Sequence, residues 1–320
     1  MPDRRKLNPR EFLPEITIDA ICPPYQSYPY FQVADKARPP YPFHANAKSF
    51  DMVNAWWLIE ASMLSYEFYE VDRKDFFIET LNKAGFPQVS FFGDITHCYV
   101  ANNDDFLILA FRGTECRRKP DHTDYHNVIV DLRLDLDFPP VDSGYGGKVH
   151  EGFKDALDEV WKNLHNHLNE WKELHKNGTI WFTGHSLGAA LATLAAQRYD
   201  KVDGLYTYGS PRVGDLEFKN SLQVKNYRFV NNNDVVPKVP PPPLYQHVGD
   251  LKYIDHNGLV NEDIKWWERD LDNIASEILS VLNIVKRVNA GNNVLIPQAI
   301  VDHVPIFYST YIWNNIPNNK

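Results

Sequence analysis

The run Gly184-His185-Ser186-Leu187-Gly188 contains the residue types that a nucleophilic hydroxyl needs. It lies between the short apolar segment Thr179 to Thr183, a strand expected to stop at Gly184, and the Ala-rich stretch Ala189-Ala190-Leu191-Ala192, so the spacing predicts a sharp strand-to-helix turn at Ser186. Glycines on either side remove side chains that would clash in such a turn and leave the hydroxyl in the open. At the helix start, the amide of Leu187 would point toward a reacting carbonyl and receive its negative oxygen. A serine hydroxyl alone is a weak nucleophile. It needs a histidine to take its proton and a carboxylate to fix that histidine's tautomer and steady the imidazolium.

On a turn of this kind the partners follow the serine in the order acid, then histidine. Asp234 comes after Phe229-Val230-Asn231-Asn232-Asn233, just past an apolar run, which is the position required. An ordinary turn aspartate would look the same, and Asp203 and Asp215 meet the same condition. Three histidines follow. His247 stands in a run that reads as the start of a strand, where a packed, hydrogen-bonded histidine is the usual state, and is the weakest candidate. His256, between Asp255 and Asn257-Gly258, and His303, between Asp302 and Val304, both suit exposed loops, with His303 slightly favoured. A second oxyanion donor should come from the loop after an early strand. Thr114 fits, because it follows Phe111-Arg112-Gly113 and Gly113 would allow close backbone approach, although a plain turn accounts for that run equally well on its own.

These residues need a scaffold, and the chain predicts one. Residues 1–47 are dense in Pro and Tyr without helical period and read as an irregular arm laid over the surface. A helix is expected from about Lys48 to Glu70, with Met52, Trp56, Ile59, Met63 and Tyr66 on one face turned to the core. Thr96 to Ala101 and Phe106 to Phe111 read as two strands joined by Asn102-Asn103-Asp104-Asp105. A helix over Val149 to Leu174, strands at Leu205 to Tyr208 and Tyr227 to Val230, and the elements around Ser186 complete an α/β alternation. That alternation implies a mostly parallel sheet covered on both faces. Ile264, Trp267, Leu271, Ile274, Ile278, Val281, Val285 and Val288 follow steps of three and four and predict a long amphipathic helix near 262–289, packed on the parent domain. A single domain is expected over the 320 residues, with its core in 48–310.

Composition narrows the function classes. A net charge of -9 without a basic stripe argues against nucleic acid as a partner. Cys22, Cys98 and Cys116 are too scattered to frame disulfides or a metal and read as structural thiols. Met1 to Glu15 lacks the apolar run of a secretory signal or a membrane span, so a cytoplasmic chain, or one exported by a non-standard route, is expected and no transmembrane segment. Asn177-Gly178-Thr179 reads as a turn, and as a glycosylation site only if the chain is exported.

Assembled in order, the motifs resemble the class 3 lipases, the group typified by fungal triacylglycerol lipases. The resemblance runs from about Ala61 to Tyr308. It is carried by Phe111-Arg112-Gly113-Thr114, Val149-His150-Glu151-Gly152-Phe153, Thr183 to Ala192, Tyr208-Gly209-Ser210-Pro211-Arg212-Val213-Gly214, Arg228-Phe229-Val230, Asp234-Val235-Val236-Pro237, and Tyr245 with His247-Val248-Gly249. The resemblance implies an α/β-hydrolase fold and a catalytic set of Ser186, Asp234 and His303, the last because Asp302, His303 and Tyr308 match the family's terminal pattern. It also implies an oxyanion hole of Thr114 and Leu187, and it reads Pro240 to Pro243 as a wall of the active-site cleft rather than a polyproline ligand. Two features depart from the pattern. Glu115 to His126 is mostly charged where many members carry an amphipathic lid, and the helical segment before His303 is longer than in compact members.

The expected activity is therefore carboxylic-ester hydrolysis through an acyl-enzyme, foremost as a triacylglycerol lipase, with no metal and no cofactor. The expected partner is a lipid or other ester, with transient contact to a lipid interface. The alternatives are a short-chain or aromatic-acid esterase, a phospholipase A1, or a non-catalytic interaction module on the same fold.

Overall fold

The computed structural model describes residues 6–17, 20, 23, 25, 28–31, 41–67, 73–114, 139–262 and 296–317. After a single helical turn, α1 (Pro9–Phe12), the first long helix is α2 (Met52–Leu64). The Asp51 side chain accepts from the Asn54 N–H at 2.9 Å and so sets its start, while Ser65 to Glu67 leave the helix as a turn. The helix is therefore shorter at both ends than its apolar period suggests. Nearly every residue of α2 is buried, Trp56 and Trp57 included, because it is sandwiched between the sheet and the last helix.

Beyond α3 (Lys74–Ala84), the strands β1 (Gln88–Phe92), β2 (Cys98–Asn102) and β3 (Phe106–Phe111) form an antiparallel meander. The expected turn between β2 and β3 is built by Asn103, whose Oδ1 accepts from the N–H groups of Asp105 and Phe106 at 2.9 and 3.0 Å. A small ribbon, β4 (Pro140–Asp142) with β5 (Lys148–His150), precedes α4 (Glu151–Leu174). That helix buries Phe153, Leu157, Val160, Leu164, Leu168 and Trp171, the three-and-four spacing of one face. Lys176 and Asn177 form a turn.

The centre of the molecule then alternates β6 (Thr179–His185), α5 (Leu187–Arg198), β7 (Gly204–Tyr208), α6 (Leu216–Ser221) and β8 (Asn226–Asn231). It closes with β9 (Asp250–Ile254), β10 (Val260–Asn261), α7 (Gln298–Val301) and α8 (Pro305–Asn315). The eight-stranded sheet runs β1-β2-β3-β6-β7-β8-β9-β10. Its middle, from β3 to β9, is parallel, and the antiparallel strands sit at the two edges. This is the expected α/β-hydrolase architecture. Because parallel strands are buried on both faces, β3, β6, β7 and β8 are buried along their whole length, and so is the antiparallel β2 beside β3.

One face of the sheet packs on α2 and α8, the other on α4 and α5. The N-terminal arm departs from expectation. Tyr28, Tyr30 and Phe31 are buried in the α2 and α8 core rather than laid over it. The Tyr28 hydroxyl donates to Glu60 at 2.7 Å and the Tyr30 hydroxyl to Glu67 at 2.6 Å, so the polar tips find carboxylates while the rings fill the core. β6 also extends through Gly184 and His185 instead of stopping at Gly184, and His247 precedes β9 rather than opening it.

The amphipathic stretch 262–289 beyond Glu262, the polar segment Glu115–His126, Cys22 and Cys116 lie outside the described residues. Cys98 is buried, and burial pushes its thiol well above the ordinary range. Among the described residues no helix is long and apolar enough to cross a membrane.

Candidate active site

Ser186 stands between β6 and α5 with φ 59° and ψ -128°, a conformation that costs a residue with a side chain about 1–3 kcal/mol. Neighbouring backbone holds it there. Its N–H donates to the Tyr208 carbonyl at 3.0 Å. A Cβ on Gly184 would lie 2.1 Å from the Gly188 carbonyl oxygen, and one on Gly188 would lie 2.3 Å from that of Phe111. The two glycines thus let α5 start directly above β6 and against the end of β3. They serve backbone approach, and the hydroxyl is not left in the open as the turn suggested: Ser186 is buried, Oγ included.

Phe111 of β3 pairs with Gly184 of β6, so the oxyanion candidates Thr114 and Leu187 each follow that pair by three residues, beyond the same end of two neighbouring parallel strands. Gly113 packs against His185, where a Cβ would come within 2.7 Å of the carbonyl oxygen. Leu187 is the first residue of α5, and the leading N–H groups of a helix have no partner within it.

Asp234 follows β8 through a turn in which Asn232 adopts φ 43° and the Asp234 N–H returns to the Asn231 carbonyl at 2.9 Å. Its carboxylate is fully buried. Oδ1 accepts from the Val236 N–H at 2.9 Å and Oδ2 from the Tyr308 hydroxyl at 2.5 Å. His303 Nδ1 lies 3.0 and 2.9 Å from the two oxygens, so Nδ1 carries the proton and Nε2 presents its lone pair. Burial, then the Asp234 charge, pushes the Tyr308 phenol well above its ordinary range, which keeps it a donor.

Among the described residues, Ser186 Oγ and His303 Nε2 are both buried and neither has a hydrogen-bond partner. Other buried polar atoms share that state, so it gains meaning from chemistry: a hydroxyl and an imidazole lone pair are the donor and acceptor that a proton transfer requires. His303 is thus not the exposed loop histidine its neighbours suggest. Gln298, Asn232 and the Asn233 N–H hold the Asp302 side chain, and Asn231 Nδ2 donates to its carbonyl at 2.9 Å, which folds the loop inward.

The other candidates are placed elsewhere. Asp203 accepts from the Ile180 N–H at 2.9 Å at the start of β6, the opposite end of the strand from Ser186. Asp215 caps α6, accepting from the Phe218 N–H at 2.8 Å. His256 is exposed in the β9–β10 turn. Burial, then Arg228 and Arg212, pushes His247 well below its ordinary value.

Three participants were not singled out by sequence reasoning. Gly209, φ 57°, packs against both Asp234 and His303. Tyr66 and His185 lead to the His303 backbone: Tyr66 Oη lies 3.1 Å from His185 Nδ1, and His185 Nε2 lies 2.8 Å from the His303 carbonyl oxygen. Gly209 carried a signal in its Tyr-Gly-Ser-Pro run, whereas Tyr66 looked only like a core aromatic. Arg212, from the same run, donates through Nη1 to the carbonyls of Lys238 and Pro240 at 2.6 and 2.9 Å and pins the proline-rich loop after Asp234.

The chain is similar to known proteins in sequence and in fold. The family model described as lipase (class 3) matches residues 108–243. A lipase of Rhizomucor miehei is 34% identical over 177 residues, covering 51% of this chain and 46% of its own. A secreted mono- and diacylglycerol lipase of Fusarium solani is 39% identical over 118 residues, covering 34% of this chain and 35% of its own. The chain thus spans about half or less of the length of these relatives. A solved triacylglycerol lipase whose catalytic centre is described as a serine protease triad superposes with a TM-score of 0.54 at 28% identity, over 67% of this chain and 84% of that one.

Proposed function

We propose that this chain, which the class 3 lipase family model matches over residues 108–243, is a serine carboxylic-ester hydrolase acting on acylglycerols, with Ser186, His303 and Asp234 as its triad. One observation carries the reading: the His303 ring, bound through Nδ1 to the buried Asp234 carboxylate, packs on Gly209, next to the Tyr208 carbonyl that holds the Ser186 N–H, and Ser186 Oγ and His303 Nε2 are both buried without a partner.

In the proposed reaction His303 Nε2 takes the Ser186 proton as Oγ attacks the ester carbonyl carbon. The imidazolium that forms is steadied by Asp234, itself held by Tyr308 and the Val236 N–H. The negative oxygen of the tetrahedral intermediate is received by the Leu187 and Thr114 amides. Collapse breaks the ester C–O bond, the alcohol leaves with the proton from Nε2, and water repeats the sequence on the acyl-serine. No step calls on a metal or cofactor. Ser186 is wholly buried, so an ester reaches Oγ only when neighbouring chain moves aside.

Acylglycerols are favoured over small esters by the kinship with enzymes named for mono-, di- and triacylglycerol substrates. The test is hydrolysis of short- and long-chain acyl esters, below and above micelle formation, by the wild type and Ser186→Ala. The expected result is turnover by the wild type alone, greater on long-chain, aggregated esters. Equal rates for the two proteins reject the hydrolase, and a preference for short monomeric esters moves the substrate to the esterase class.

A further inference from the structure

Resting on that reading, we infer that Tyr66 and His185 form a positioning bridge that couples Gly113, between β3 and the proposed oxyanion donor Thr114, to the backbone of the catalytic base. Its polarity is fixed by its two ends. His185 Nε2 lies 2.8 Å from the carbonyl oxygen of His303, and a carbonyl only accepts, so Nε2 carries the proton. Nδ1 is then the lone-pair nitrogen and accepts from the Tyr66 hydroxyl at 3.1 Å. At the far end the Tyr66 oxygen accepts from the Gly113 backbone, one residue before Thr114. The order is Gly113 N–H to Tyr66 Oη, Tyr66 O–H to His185 Nδ1, His185 Nε2–H to the His303 carbonyl.

The bridge is built closely. A Cβ on Gly113 would lie 2.0 Å from Tyr66 Oη, so glycine at 113 is what admits the hydroxyl. The His185 ring lies 4.5 Å from that of His303, tilted by 33°. His185 is almost wholly buried, and burial first, then the His303 charge, pushes it well below its ordinary value. It therefore stays a neutral dipole beside a ring that becomes cationic during turnover, where a second cation would oppose that charge. Proton transfer at His303 and charge on the oxyanion develop together. A rigid link between the elements that serve them holds both to one geometry, and a misplacement of about 1 Å can cost on the order of 100-fold in rate.

Tyr66 and His185 need not touch substrate, so the test must separate positioning from scaffolding. The full chain is compared as wild type, Tyr66→Phe, His185→Leu and His185→Gln, with sites counted by end-point labelling with a phosphonate and kcat and KM measured on a soluble ester. Tyr66→Phe and His185→Leu are expected to lose on the order of 10-fold or more in kcat per labelled site, with KM held within about twofold. His185→Gln, whose amide can donate to the His303 carbonyl and accept from Tyr66, should recover most of that loss. Wild-type kcat per labelled site in Tyr66→Phe and His185→Leu, or activity lost only in step with folded protein, overturns the bridge. A wild type that neither takes label nor turns over overturns the hydrolase reading instead.

Discussion

Gly209 is the backstop of His303: a Cβ at that glycine would lie 2.9 Å from the ring atoms Nδ1 and Cε1, and equally close to Oδ2 of Asp234. The hydrogen bond between base and acid is therefore held against a backbone surface, with no side chain between them and the end of β7.

Gly209→Ala must push the His303–Asp234 pair off that surface, at a position whose φ of 57° already disfavours alanine. Ester hydrolysis should fall on the order of 100-fold, with a lowered melting temperature. Steady-state kinetics alongside a thermal melt will show it, and unchanged kinetics would mean that the pair has room to spare.

Strain at Ser186 should be separable from its chemistry. Ser186→Ala and Ser186→Gly should both be inactive, but glycine alone relieves the φ 59° conformation. The glycine variant is expected to be more stable than the alanine variant by about 1–2 kcal/mol, read from urea unfolding. Equal stability would show that the turn stores no strain.

The Tyr308 hydroxyl both donates to Asp234 and accepts from the Asn231 N–H at 3.0 Å. Tyr308→Phe removes both bonds and leaves a buried N–H and a carboxylate short of a partner. A loss of about 1–3 kcal/mol in stability is expected, together with reduced kcat. Urea unfolding and the ester assay measure the two effects, and retention of both would place the support of Asp234 elsewhere.

Glu60 makes stability depend on pH. Burial raises its carboxyl from the ordinary 4.5 to about 7, with the Ser309 and Tyr28 hydroxyls lowering it in part. At pH 4 both folded and unfolded chains hold this proton. Between about 4.5 and 7 the unfolded chain loses it first, so stability falls as pH rises, and above 7 the loss is complete. Glu60→Gln cannot ionise and should gain on the wild type by on the order of 3 kcal/mol between pH 4 and 8. Unfolding measured across that range decides it, and a constant difference would show that Glu60 ionises alike in both states.

The parts legible in the sequence were those encoded locally. Glycines around Ser186 announce a close turn because only glycine tolerates such approach, and the Asn103 turn and the period of α4 follow from short-range geometry. The order of the motifs carried the family, and with it the pairing of Asp234 and His303 that spacing alone left open. Boundaries were less legible: Asp51 starts α2 where apolar period runs on, and β6 continues through glycine because its neighbours supply the hydrogen bonds.

Only the tertiary structure could decide relations between residues far apart in the chain. That His303 is buried, that Gly209 backs it, that Tyr66 reaches across to His185 and that the arm tyrosines meet Glu60 and Glu67 all depend on how β3, β6, β7, β8 and the two ends of the chain come together. A sequence records which side chains can donate, accept or fill space. Distance and burial, which turn those capacities into a specific hydrogen bond or a shifted proton affinity, exist only once the sheet has closed around them.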